Sequence, residues 1–195
     1  MRRAITGACV ALALSGCVSL PTPQSRSEWN EVHSRTYAGK SAEQVLDSAE
    51  KVLRSADKDF TFDYPDGKLV ASRRWSMYIV LAAAAGTDYW DITTSPTPEG
   101  TKVTVQVNRA SGAMYASPVI GGAGGATVAS SNLPGQPLQW RPVYDLFWGR
   151  MDYMLKDGAW VSCADFKKGK PQKQKAGLDA LCSMTTDDGP APSAN

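Results

Sequence analysis

The chain has 195 residues, with 21 Lys and Arg, 19 Asp and Glu and one His. Its length suits one domain with a hydrophobic core. The near-neutral charge gives no electrostatic reason to expect nucleic acid or an acidic polymer as a partner. The single histidine, His33, falls in a segment without periodicity, so Ser-His-acid, Cys-His and His-rich metal sites are not expected and no cofactor is predicted.

The first residues have the form of a secretory signal. Arg2 and Arg3 precede an uncharged run from Ala4 to Leu14 that is rich in Ala, Val, Ile and Leu. This run is about half of the roughly 20 residues that a helix needs to cross a bilayer. Its length and basic start therefore favour a signal peptide over residues 1–16.

The apolar run ends in Leu14-Ser15-Gly16-Cys17, which resembles the lipobox of bacterial lipoproteins. The resemblance implies cleavage before Cys17 and lipid attachment to its thiol, so that acyl chains anchor the protein on a membrane. By the same resemblance Val18, standing where an Asp would retain the protein at the inner membrane, implies the outer membrane, with the domain facing the periplasm. An ordinary signal peptide with an unrelated cysteine is the alternative.

The remaining chain divides into three parts. Residues 17–40 are rich in Ser, Pro, Thr and Arg and predict a flexible tether, which includes His33. Residues 41–184 predict a single folded domain. Residues 185–195 are mostly Asp, Gly, Pro, Ala and Ser and predict a disordered tail.

Two segments have helical periodicity. The first opens with a capping box, Ser41 with Gln44 three residues later, and the second follows Pro142. The apolar stripes are Val45, Leu46, Ala49, Val52, Leu53 and Ala56 in the first helix, and Tyr144, Phe147, Trp148, Met151, Met154 and Leu155 in the second. Both stripes are expected to pack on a sheet. Exposed binding anchors at Trp140 and Trp148 are the alternative.

Between these helices the pattern alternates as in strands. Residues 60–64 alternate and lead into a Pro65-Asp66-Gly67 turn, and residues 101–108 place valines on one face and polar residues on the other. Residues 68–79 are long for one strand, so a bulge or turn is expected near Trp75. Residues 77–85 fit helix or strand. The prediction is a two-layer α+β domain, with an antiparallel sheet of about four to five strands covered on one face by two helices.

The cysteines suggest one disulfide. Cys9 leaves with the signal and Cys17 takes lipid, so Cys163 and Cys182 remain as a pair in an oxidising compartment. A two-thiolate metal site is the alternative, but it has no nearby histidine or further cysteine to complete it.

The remaining candidate site residues are carboxylates and glycines. Asp88 and Asp91 would lie on opposite faces of a strand, which does not suit paired acid-base catalysis. Gly121, Gly122, Gly124 and Gly125 lie in a charge-free stretch, with no following Lys for a phosphate loop. They are read as a surface loop, or as a loop that orders against a protein partner or a membrane.

These observations predict a protein that is not an enzyme. The expected function is a membrane-anchored periplasmic lipoprotein that acts as a non-catalytic scaffold or accessory of an envelope assembly. Its expected partners are the membrane, through lipid on Cys17, and other envelope proteins. A binding module for an apolar or envelope-derived ligand is the alternative. A ligand module should show a large apolar cavity, whereas an assembly protein should show an exposed apolar surface.

Overall fold

A computed structural model describes residues 25–79, 82–115, 127–129, 135–156, 158–168, 181–182 and 190–194. The helices are α1 (Arg26–His33), α2 (Ala42–Ala56), α3 (Arg141–Lys156) and α4 (Cys163–Lys167). The strands are β1 (Ser34–Ala38), β2 (Thr61–Asp63), β3 (Leu69–Ile79), β4 (Ala82–Thr97), β5 (Gly100–Tyr115), β6 (Thr127–Ala129) and β7 (Gln136–Pro137).

The strands form one antiparallel sheet in the order β1-β5-β4-β3-β2, and the short β6 and β7 both pair with β5. Consecutive strands β2 to β5 are neighbours, as expected for a meander of hairpins. The predicted α+β class and antiparallel sheet are confirmed, with five strands on the main path.

One face of the sheet carries the hydrophobic core. Val103, Val105 and Val107 of β5 are fully buried, as are Trp90 and Ile92 of β4. These residues alternate with exposed or half-buried polar residues, so a single face meets the helices. The rings of Trp90 and Phe147 lie 5.3 Å apart, centroid to centroid, which places α3 directly on the sheet.

The predicted start of α2 is confirmed. The Gln44 backbone N–H donates to the Ser41 hydroxyl at 3.2 Å, and the Ser41 N–H donates to the Gln44 side chain at 3.0 Å. The predicted stripe faces the core, where Val45, Ala49 and Val52 are fully buried. This helix therefore forms where local capping and amphipathicity agree.

The long strand β3 differs from the expectation of a bulge or turn near Trp75. It runs without a break from Leu69 to Ile79, and each residue opposes one residue of β4, down to Ile79 opposite Ala82. The alanines of residues 82–85 are therefore in strand, although alanine favours helix. Pairing with two neighbouring strands outweighs that local preference.

The predicted tether is shorter than expected, since residues 26–38 form α1 and β1. Ser25 and Glu28 make a second capping box, which the absence of an apolar stripe concealed. Tyr37 of β1 is fully buried and donates to Asp152 at 3.2 Å. The predicted disordered tail also has an ordered contact, because Tyr153 donates to the Pro192 carbonyl at 3.0 Å.

Candidate functional site

The layer of helices that covers the sheet ends at one position along the strands, which is called a level of the sheet below. Asp57 caps the C-terminus of α2 and forms an ion pair with Arg73 of β3 at 3.3 Å. At the same level, the Leu138 N–H donates to the Val107 carbonyl at 2.7 Å, and α3 begins just after it at Arg141. Strands β3, β4 and β5 continue past this level.

A row of charged residues, two of them buried and one half-buried, lies at that level and is called the ion-pair row below. Arg73, Asp88 and Arg109 oppose one another on β3, β4 and β5. Arg109 donates to both oxygens of the Asp88 carboxylate, at 2.6 and 2.9 Å, and Arg73 donates to one of them at 3.3 Å. Asp88 is fully buried, so this bidentate pair fixes the relative positions of three strands.

The ion-pair row does not resemble a catalytic carboxylate site. Both oxygens of Asp88 are engaged by guanidinium groups, and the side chain has no exposed surface that a substrate could reach. Asp91 lies on the opposite face of β4, as predicted, and pairs with Lys68 at 3.4 Å. Asp88 and Asp91 therefore cannot share a substrate.

Next to the ion-pair row, Trp75 lies across Gly86. The two residues oppose each other in the β3–β4 ladder. A Cβ added to Gly86 would lie 2.6 Å from the Trp75 ring, closer than any side chain could tolerate. The guanidinium of Arg109 stands 5.2 Å from the centre of the same ring. The indole lies on the same face of the sheet as the core and covers the charged row at its end toward the sheet extension.

Beyond the ion-pair row the sheet continues as an extension that we call the arm. It comprises residues 74–79 of β3, 82–87 of β4, 110–115 of β5, and β6. Six residues per strand give it a length of about 20 Å. The sequence carries no charged residue in 75–87 or in 110–140, which include most of the arm.

One edge of the arm has no partner strand among the residues that the structure describes. Strand β4 pairs with one side of β3 along its whole length, but β2 pairs with the other side only as far as Ser72. Within the described ranges no strand pairs with this outer side of β3 from Arg73 to Ile79. Sheet proteins usually protect such an edge with charged residues, prolines or bulges. Residues 75–79 contain none of these protective features, so the edge is able to accept another strand.

The predicted disulfide is present. Cys163 and Cys182 are joined with their Cα atoms 5.6 Å apart, and both are buried. Beside them the fully buried Arg150 donates to the Val161 carbonyl at 3.1 Å and approaches the Cys163 sulfur at 3.3 Å. Sequence reasoning missed Arg150, although a cation within the apolar stripe of α3 was a visible signal. The disulfide and Arg150 attach the C-terminal segment to α3.

The other predicted site residues fall outside the described ranges. These are the lipidation candidate Cys17 and the loop candidates Gly121, Gly122, Gly124 and Gly125. Of the two proposed anchors, Trp148 is buried in the core, as the packing prediction required, and Trp140 is 46% exposed beside the start of α3.

His33 is part of the core rather than of a flexible tether. Its ring is stacked on Trp29 with centroids 3.6 Å apart, contacts Tyr144, and is 4% exposed. Burial lowers the pKa of His33. The ring nitrogen Nδ1 lies 3.0 Å from the Trp29 carbonyl, so this hydrogen bond of the ring is made within α1.

A surface groove of about 430 Å³ lies on the outer side of α2. Its lining includes Leu46 and Tyr64, together with the carboxylates Glu43 and Asp47. The alternative function predicts an apolar ligand between the helices and the sheet. The groove lies outside that interface. The described part of that interface is filled by aromatic side chains such as Trp90 and Phe147.

The described residues contain no group of three or more His, Cys, Asp or Glu that could hold a metal ion. Within the same ranges, no helix combines the length and apolar character that crossing a bilayer requires. Comparisons of the whole chain with protein-family models, curated proteins and solved structures give no match.

Proposed function

We propose that the chain is a lipid-anchored, non-catalytic protein of the bacterial envelope that serves as a scaffold or accessory of a membrane-associated assembly. The anchor is Cys17, by resemblance to the lipobox. The observation that carries the assembly role is the arm, an extension of the sheet that continues past the helix layer, carries no charge beyond Arg74, and has a strand edge that no described strand covers.

The arm has the properties of an interaction surface. An unpaired strand edge presents free backbone N–H and C=O groups to which another strand can pair, and soluble monomers usually protect such an edge with charges, prolines or bulges. Here the base of the arm is held in place by a buried bidentate ion pair and by Trp75 packed on Gly86. This support favours a rigid binding element over an unstructured loop.

The alternative, a carrier of an apolar ligand, receives less support. A carrier needs a cavity that buries most of its ligand, lined by apolar side chains. The groove on α2 is bordered by exposed Glu43 and Asp47, and Tyr64 donates to Glu50 across its margin. An acidic, open groove does not suit a lipid or another apolar molecule.

In-cell crosslinking with affinity recovery tests the proposal. The tagged wild-type chain is compared with Cys17→Ser, which removes the lipid, and with Ser76→Glu, which places a charge on the exposed outer face of the arm. The matched control is Thr93→Glu, an exposed site on the same sheet face within the helix-covered region. We expect a discrete set of crosslinked species with wild type and Thr93→Glu that is lost in the other two variants.

Two results would contradict the proposal. Recovery of only bulk outer-membrane protein from the wild-type chain would remove the assembly role. Equal recovery with Ser76→Glu and Thr93→Glu would mean that the arm is not the interaction surface, and bound small molecules would then become the priority.

A further inference from the structure

The arm has two outer edges, β3 and β6, at the same position along the strand direction. Residues 77–79 of β3, 82–84 of β4, 113–115 of β5 and β6 oppose one another across four strands, with Tyr78, Ala83, Met114 and Val128 in one row. On one side, no strand of the described part of the chain pairs with the outer edge of β3 from Arg73 to Ile79. On the other side, the described ranges include no strand that pairs with the outer edge of β6.

We infer that copies of this chain associate head to tail, with the open edge of β3 pairing with the β6 edge of a second copy. This inference rests on the proposed function, since it uses the shared membrane anchor, and it names the partner of the arm.

Strand direction supports a second copy as the occupant. The four strands of the arm alternate in direction, so β3 and β6 run oppositely. A β6 strand placed beside β3 of a neighbour with the same orientation is therefore antiparallel to it, which continues the existing ladder. Because both edges lie at the same height, the next copy needs little shift along the strands.

The anchor selects this arrangement over a two-fold one. Two β3 edges paired antiparallel to each other would point the two arms in opposite directions. Copies anchored in the same membrane face point the same way, which the head-to-tail pairing preserves and the antiparallel two-fold pairing does not. Heterologous contacts of this kind close into rings or extend into chains.

The lack of like-charge repulsion and the shared membrane anchor allow a small contact to hold two copies together. Neither residues 75–79 nor β6 carries a charge, so two copies meet without like-charge repulsion. Cys17 precedes Ser25, the first described residue, by eight residues, and a chain of that length spans at most about 28 Å. Confinement near one surface raises the effective concentration of each edge for the other.

A cysteine pair tests the inference on the full-length, lipidated protein. In Tyr78→Cys with Val128→Cys, the two new thiols of one chain are separated by three strand spacings, about 14 Å, too far for an internal disulfide. A disulfide between the thiol at position 78 of one copy and the thiol at position 128 of another forms only if β3 of the first lies beside β6 of the second, and the single variants detect disulfides between identical positions. The native pair, Cys163 with Cys182, is already joined and buried.

We expect the double variant to give a ladder of dimers and larger species on a non-reducing gel, and each single variant to remain monomeric. The matched control is Thr36→Cys with Asp63→Cys, two exposed sites on the outer strands β1 and β2 beside the core, which should not crosslink. Circular dichroism of each variant checks that the fold is kept.

Every other outcome overturns the inference. Dimers from Tyr78→Cys alone would show a two-fold pairing of β3 edges. A folded double variant that stays monomeric would exclude self-association through the arm. A photo-crosslinker at position 78 that captures a different protein or a phospholipid would assign the arm to that partner, and capture of a different protein would leave the proposed assembly role intact.

Discussion

At the scale of single residues, the charges that interrupt the apolar face of the sheet show where the core ends. Arg73, Asp88 and Arg109 point to the same face of the sheet as the buried apolar residues that alternate along their strands. Each is therefore a charged residue at a position where an apolar residue is expected. The sequence contains this signal on all three strands. Its meaning depends on the register that aligns them, which local patterns do not determine.

Replacing Asp88 with Asn should destabilise the fold. It removes the carboxylate that two arginines share and leaves their charges without this partner inside the protein. The expected loss in the free energy of unfolding is about 3 to 5 kcal/mol, measured by chemical denaturation. Asp91→Asn, three residues along on the exposed face, should cost no more than about 1 kcal/mol. Equal losses of unfolding free energy in the two variants would mean that the ion-pair row does not stabilise the fold.

His33 should make stability depend on pH. Burial lowers the pKa of the folded histidine below its ordinary value of 6.5, so the unfolded chain takes up the proton first as pH falls. Stability from the neutral ring is complete above pH 6.5 and declines below it. Because the chain has one histidine, His33→Gln isolates this effect.

Denaturation at about pH 7 and about pH 5.5 measures that contribution. The wild type should lose more stability between these values than His33→Gln, although the variant is the less stable protein at neutral pH through lost stacking on Trp29. Parallel losses in the two proteins would contradict the buried, neutral histidine.

At the scale of elements, prediction succeeded where one local pattern sufficed. The capping box at Ser41 and the stripes of α2 and α3 located both helices, and Pro65-Asp66-Gly67 located a turn in which Asp66 and Gly67 have φ of 51° and 73°. The arm was ambiguous because its alanines favour helix. Its strands are stabilised by neighbours that are distant in sequence, and a short window does not include them.

Gly86 tests the packing at the base of the arm. Gly86→Ala should cost about 1 to 3 kcal/mol, because the new methyl group meets both the Trp75 ring and the Ala110 carbonyl. Gly135→Ala is the control, since its methyl group would approach the nearest atom, Asn108 Cβ, at 3.2 Å. In thermal unfolding, Gly86→Ala should have a clearly lower melting temperature than Gly135→Ala. Equal melting temperatures would indicate that Trp75 does not lie over Gly86.

At the scale of the whole molecule, the two-layer α+β class and the Cys163–Cys182 disulfide were predictable from alternation, periodicity and cysteine count. The separation between a helix-covered core and an uncovered arm was not. The charge-free stretch around Gly121–Gly125 predicts a loop, yet its first residues, 110–115, continue β5. Only the tertiary register shows that this stretch and residues 75–87 lie side by side.

The proposed assembly role depends on the attachment of the chain to a membrane through Cys17. The most direct test is the intact mass of the mature protein purified from the membrane fraction of a bacterial host, beside the Cys17→Ser variant. We predict a chain that begins at Cys17 and carries the added mass of acyl chains, with Cys17→Ser retaining residues 1–16 and gaining no such mass. A mature wild-type chain with an unmodified Cys17, or one that starts elsewhere, would contradict the anchor and, with it, the proposed function.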